Sequence, residues 1–170
     1  LDEAVAIATR AALLCGRGTI HRTMSVHITD ARLAALAQFF ESLSPADLDR
    51  IGVFYAPEAR FKDPFNDVQG LPGIRTIFAH MFEALHEPRF VVTGGFAQGD
   101  EAFLTWDFVF RFKRFDSHTL QTVRGATHLR FAADGRVSLH RDYWDAAEEL
   151  YEKLPVVGGL MRWLKRRANS

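Results

Sequence analysis

Residues 102–113 read Ala102-Phe103-Leu104-Thr105-Trp106-Asp107-Phe108-Val109-Phe110-Arg111-Phe112-Lys113. Ala102, Leu104, Trp106, Phe108, Phe110 and Phe112 occupy alternate positions. Phe103, Thr105, Asp107, Val109, Arg111 and Lys113 occupy the others. A period of two puts these sets on opposite faces of a β-strand. The first face is too aromatic to meet water, so it must meet other elements. The second is mixed and reads as a surface or a subunit interface.

Period two continues on both sides of this stretch. Arg89–Gln98, Thr119–Ala132 and Arg136–Trp144 read as three more strands. Gly99-Asp100 and Asp134-Gly135 supply the turns, and Asp-Gly is a strong hairpin signal. Before Pro88 the period is helical. Asp30 is a good N-cap, and Leu33, Leu36, Ala37, Phe40 and Leu43 recur at helical spacing. Ser44-Pro45 ends that helix and starts a second, with Ser44 as cap and Pro45 in the first turn. Ala59 to Lys62 reads as a short strand before Asp63-Pro64. A third helix is expected from Gly73 to His86, with Ile74, Ile77, Phe78, Met81 and Leu85 on one face. Three helices followed by a four-stranded antiparallel meander predict an α+β fold.

Composition narrows the function. The 170 residues hold 15 Phe against 3 Tyr and 3 Trp. Phe fills volume without a polar handle, so the interior is bulky and dry, or shaped to hold something apolar. Lys plus Arg equals Asp plus Glu at 21 each, which argues against a nucleic-acid partner. Zero net charge also gives little repulsion against self-association. Cys15 is the only cysteine, so no internal disulfide forms, in keeping with a reducing cytoplasm. The seven His residues show no metal-ligand spacing, so neither metal nor cofactor is expected.

Three regions are expected: an N-terminal extension at 1–28, a domain at 29–153 and an amphipathic C-terminal helix at 154–170. Leu1 to Cys15 could form a short helix, and it lacks the pattern of a signal peptide. Met24 is a candidate internal start. Ala146–Lys153 and Gly158–Arg167 read as helices. The second carries Leu160, Met161, Trp163 and Leu164 ahead of Lys165, Arg166 and Arg167. Packing on its own domain or a partner subunit is the favoured role of this helix. Contact with a membrane surface is the alternative.

Two motifs carry a resemblance. Tyr55-Ala56-Pro57-Glu58-Ala59-Arg60-Phe61-Lys62-Asp63-Pro64 and His140-Arg141-Asp142-Tyr143-Trp144-Asp145, in this element order, resemble the superfamily of nuclear transport factor two, ketosteroid isomerase and the SnoaL-like polyketide cyclases. The likeness spans roughly residues 30–150. It implies a cone-shaped roll of N-terminal helices on a curved antiparallel sheet, enclosing a pocket. Function does not follow from fold alone.

Asp63-Pro64 looks like the general-base pair of ketosteroid isomerase, but the oxyanion donors of that enzyme correspond to Phe39 and Thr127. Loss of such donors costs about a hundredfold or more each, so steroid isomerisation is not expected. Asp142 also matches an Asp of limonene epoxide hydrolase. The Arg and second Asp of that enzyme fall on Thr105-Trp106-Asp107, which has no Arg, and its water-holding Tyr and Asn look like Phe61 and Asp63. SnoaL-like cyclases ask for one last-strand Asp in an apolar pocket, which Asp142 supplies.

The resemblance thus points to Asp142 as base or acid, with Asp63 and His140 assisting. Phe39, Phe61, Phe65, Trp106, Phe108, Thr127 and Leu129 are the expected pocket wall. A carboxyl group among aromatic rings is poorly solvated and makes a usable general base. Asp142 could instead pair with Arg141, Arg124 or Arg130, or cap the helix starting near Asp145. Asp63 could cap the turn before Gly70, and His140 could be a satisfied core histidine. Two readings stay open: cofactor-free acid/base catalysis on an apolar small molecule (isomerase, cyclase, lyase or hydrolase type), or a non-catalytic apolar-ligand or partner-binding module. A homodimer through the outer sheet face is expected.

Overall fold

Among the described residues, six strands form a single sheet in the spatial order β2-β1-β6-β5-β4-β3. The strands are β1 (Tyr55–Lys62), β2 (Asp67–Gln69), β3 (Leu85–Gln98), β4 (Glu101–Phe112), β5 (Gln121–Phe131) and β6 (Val137–Tyr143). The helices bounded within the described residues are α1 (Ala31–Glu41), α2 (Ile51–Phe54), α3 (Leu71–Ala84) and α4 (Ala146–Glu149), with a 3₁₀ turn at Pro45–Arg50. The computed structural model describes residues 27–114 and 117–149, together with Trp163, Arg166 and Arg167. The expected helix at 1–15 and most of 158–167 lie outside the described residues.

The α+β class is as expected, and the meander β3-β4-β5-β6 is antiparallel throughout. The sheet as a whole is mixed, which corrects the expectation of a purely antiparallel one. β1 pairs antiparallel with β2 but parallel with β6. β2 was not anticipated. β1 starts four residues earlier than the pattern suggested, because the register slips between Tyr55 and Arg60 and Pro57 falls in that gap. Pro is tolerated where a bulge removes the need for its N–H. Pro88 is likewise inside a strand. It sits at a bulge between His86 and Arg89, beside Glu87 at φ +49°, on an edge strand. The third helix therefore ends at Ala84, two residues before the expected His86.

Local chemistry sets the helix starts. The Asp30 carboxylate accepts from the backbone N–H groups of Arg32 and Leu33, at 2.9 and 3.1 Å. Arg32 then reaches the β3–β4 turn, donating to Asp100 at 3.1 Å and to the Gly99 carbonyl at 2.6 Å, while its guanidinium lies over the Phe131 ring. The Asp47 carboxylate accepts from both the N–H and the hydroxyl of Ser44. The expected single helix from Ser44 to Phe54 is a 3₁₀ turn leading into α2.

The core lies between the helices and the inner sheet face. Leu33, Leu36, Phe39 and Phe40 of α1 and Ile74 and Phe78 of α3 are buried against Leu104, Trp106 and Phe110 of β4 and Leu129 of β5. Each such side chain contributes about 1.5–3 kcal/mol on burial. The alternation holds from Ala102 to Trp106, where Ala102, Leu104 and Trp106 are buried and Phe103 and Thr105 exposed; beyond it the contrast fades, with Phe108 half-buried and both Val109 and Phe110 buried. On the outer face, Phe103 stacks on Phe96 at 5.6 Å and on His128 at 4.7 Å.

Candidate active site

β6 runs beside both β5 and β1, and this brings the polar residues of the interior together. His140 and Asp142 are two residues apart on β6 and share the inner face. In the β5–β6 register Thr127 lies opposite Asp142, and Leu129 opposite His140. Trp106, on β4, reaches across from the next strand. Tyr55 enters from the start of β1.

These five side chains form one hydrogen-bonded chain. Trp106 Nε1 donates to Thr127 Oγ1 at 2.8 Å. Thr127 Oγ1 donates to Asp142 Oδ1 at 2.5 Å. His140 Nε2 lies 2.9 Å from the same Oδ1, and His140 Nδ1 lies 2.8 Å from the Tyr55 hydroxyl. Donor chemistry assigns the protons. An indole N–H only donates, so Thr127 must direct its own proton to Asp142. Burial, and secondarily the Asp142 charge, push the Tyr55 phenol well above its ordinary pKa, so it keeps its proton, and with no other partner among the described residues it donates that proton to Nδ1. The ring proton of His140 is then on Nε2, directed at Asp142. Oδ1 accepts twice, while no described residue donates to Oδ2.

Aromatic rings surround the chain. His140 stacks on Phe61 at 4.5 Å and meets Phe40 edge-on at 5.7 Å. Phe40, Phe78, Phe90, Val92, Leu104 and Trp106 wall a cavity of about 20 Å³ whose polar end is Thr127, His140 and Asp142. A single ordered water requires roughly 10–15 Å³ of such space. The cavity is thus of water size. Asp142 also lines a second, open groove of about 530 Å³, together with Lys62, Asp63, Pro64, Arg141, Tyr143, Trp144 and Asp145.

The structure brings Asp142, His140, Thr127 and Trp106 together at the cavity. Asp63 lies apart from it. Its Oδ1 accepts from the backbone N–H groups of Phe65 and Asn66 at 2.7 and 2.6 Å, and the Asn66 amide donates to both of its oxygens. Phe61 backs the His140 ring, and Phe39 stacks on Phe54 at 4.2 Å, deeper in the core. Leu129 is fully buried in the core. Phe108 stacks on Phe90 at 4.6 Å, one layer outside the cavity wall. Phe65 is exposed, edge-on to Trp144 at 5.3 Å. The three arginines considered as partners of Asp142 are elsewhere. Arg141 lies over the Tyr143 ring, Arg124 is near Asp107, and Arg130 pairs with Glu101. Asp145 itself caps α4, accepting from the N–H groups of Ala147 and Glu148.

Sequence reasoning missed Tyr55, Phe40, Phe78 and Phe90 as members of the site. A signal for Tyr55 existed: a tyrosine entering a predicted core must find a partner for its hydroxyl. Among the described residues, no cluster of three His, Cys, Asp or Glu side chains is placed to hold a metal ion.

A model of the SnoaL-like domain matches residues 36–140, more than half of the chain. The chain belongs to the SnoaL-like domain family. The matched stretch of this SnoaL-like domain ends at His140, so Asp142 lies just beyond it. No curated protein matches the chain. Among solved structures, a ketosteroid isomerase-like protein of Catenulispora acidiphila in complex with trimethylamine is 18% identical, with TM-score 0.61 over 72% of this chain and 91% of that one. A candidate polyketide cyclase of Acidithiobacillus ferrooxidans is 21% identical, with TM-score 0.61 over 73% and 94%. A candidate isomerase of the SnoaL-like family from Agrobacterium tumefaciens is 16% identical, with TM-score 0.53 over 67% and 94%. At these identities the likeness is one of fold. No helix among the described residues is long and apolar enough to cross a membrane.

Proposed function

We propose that this SnoaL-like domain binds a small apolar molecule against its aromatic cavity and moves a proton to or from it with Asp142, without a cofactor. One observation carries the reading. The Asp142 carboxylate stands with Thr127 and His140 at the polar end of an otherwise apolar cavity, with Oδ1 held by Thr127 and His140 and Oδ2 unused by any described donor. A held carboxylate with one uncommitted oxygen suits a general base, which typically contributes about 10²–10⁴-fold to rate. His140 assists by holding Asp142. Asp63 enters the reading through the groove wall that its turn shapes.

A molecule larger than water requires the rings of Phe40, Phe78 or Phe90 to swing aside. Phe90 is half-buried and stands at the sheet edge, so it is the ring best placed to move. Deuterium incorporation from D₂O into enolisable apolar ketones, followed by NMR, tests the proton transfer. The wild type accelerates exchange, and Asp142→Asn loses a hundredfold or more. Equal exchange by both proteins would sink the proposal.

The non-catalytic reading has its own support, the water-sized cavity, since a packed interior suits a domain that binds a partner or ligand without turnover. Binding of an apolar probe, undiminished in Asp142→Asn and unaccompanied by exchange, would select it. Both readings include a cytoplasmic homodimer through the outer sheet face, supported by the exposed Val91, Phe96 and Phe103 there. Light scattering that gives a monomer at micromolar concentration would remove the dimer.

A further inference from the structure

The Tyr55 phenol is wholly enclosed, and His140 Nδ1 is its one hydrogen-bond partner among the described residues. We propose that Tyr55 is a positioning residue that keeps His140 neutral with its proton on Nε2, so that Asp142 is the only group at this site able to take up a proton. The consequence for catalysis rests on the reading of Asp142 as the base; the state of His140 does not.

A histidine beside a carboxylate ordinarily gains a proton near neutral pH and forms an ion pair. His140 has such a carboxylate at Nε2. Its second nitrogen faces a hydroxyl that has no other acceptor among the described residues. Charging His140 would put a proton on Nδ1 and force the Tyr55 O–H to turn away into apolar surroundings. Tyr55 is wholly buried within the hydrophobic core, and among the described residues its hydroxyl has no hydrogen-bond partner besides His140. A buried hydroxyl left without an acceptor disfavours that state roughly tenfold or more. The other titratable group facing His140 is Asp142, and its pull is the one Tyr55 opposes. A proton arriving at Asp142 cannot pass to His140 either, because Nε2 already carries one and Nδ1 is occupied by the phenol. His140 is therefore a brace for Asp142 and not a shuttle.

Long-range ¹H–¹⁵N correlation spectra of the histidine rings between pH 5 and 8 test this. The wild type should show His140 with an unprotonated Nδ1 and a protonated Nε2 throughout. Tyr55→Phe should make His140 titrate within that range, as a water entering the vacated space accepts from Nδ1. A wild-type His140 that becomes imidazolium in this range overturns the proposal, and so does a Tyr55→Phe protein whose His140 stays neutral. If the variant does not fold, the wild-type spectrum still decides. If Asp142→Asn leaves exchange unchanged while His140 stays neutral, the catalytic reading fails and the role of Tyr55 stands.

Discussion

Trp106 lies directly over Gly125. The two are paired across β4 and β5, and a Cβ built on Gly125 would come within 2.4 Å of the indole ring. No side chain fits there while the ring keeps its place, and that place is what aims Nε1 at Thr127. Gly125→Ala should therefore displace Trp106 and destabilise the fold by about 1–3 kcal/mol, as overpacking does. Urea unfolding and a shift in tryptophan emission check this. An unchanged midpoint and spectrum would mean the ring is held less firmly than the geometry indicates.

Thr127→Val keeps the shape of a buried side chain and removes both of its hydrogen bonds. Trp106 Nε1 and Asp142 Oδ1 each lose a partner. The expected cost is about 1–3 kcal/mol, the penalty for unsatisfied buried groups. Thr127→Ser keeps the hydroxyl and should restore most of it. Equal losses in the two variants would show that the methyl group matters as much as the hydroxyl.

Asp63→Ala should weaken the turn that follows β1 by about 1 kcal/mol, since the carboxylate satisfies two backbone donors. Deuterium exchange at saturating substrate should be retained. Loss of exchange on the scale of Asp142→Asn, with the fold intact, would make Asp63 a participant in the chemistry.

Stability should fall in acid. Asp30, Asp47, Asp67, Glu101 and Asp134 are all held below their ordinary pKa values, chiefly by hydrogen bonds from Arg32, Ser44, Arg60, Arg130 and Arg136 respectively. A carboxylate with a lowered folded pKa stabilises the fold above its unfolded value and loses that contribution as pH falls through the folded one. The Tm should thus be level from neutrality to about pH 5 and decline below about pH 4. These pairs are largely exposed, so salt should flatten the decline, and Asp67→Asn should flatten it further. A decline indifferent to both would place its origin in the core.

Much of the sheet is legible because its signals are local. Alternation over residues 102–106 separates the faces, and Asp134-Gly135 marks the β5–β6 turn, with Gly135 at φ +82°. The pairing of Thr127 with Asp142 can be counted back from that turn. It holds because a three-residue turn and a one-residue register slip near Phe131 offset each other. Other features are not local. Nothing near Tyr55 announces that β1 will lie parallel to β6, some 80 residues later. Without that contact His140 has no visible second partner, and Tyr55 reads only as a helix end. The interior was expected to hold a pocket because of its many Phe residues, yet whether rings line a space or fill it depends on rotamers that no sequence pattern records.

The parallel contact between β1 and β6 also bears on when the site comes into being. Tyr55 and His140 are 85 residues apart in the chain. Closing so long a loop must precede any gain from the contact, and pairings of this kind belong to the slow phase of folding. The hairpins of β3, β4 and β5 can form from neighbouring residues, but the buried phenol finds its partner only when the last strand docks. A chain halted before His140 would have most of its sheet and no site, so ligand binding would report complete folding where secondary structure would not.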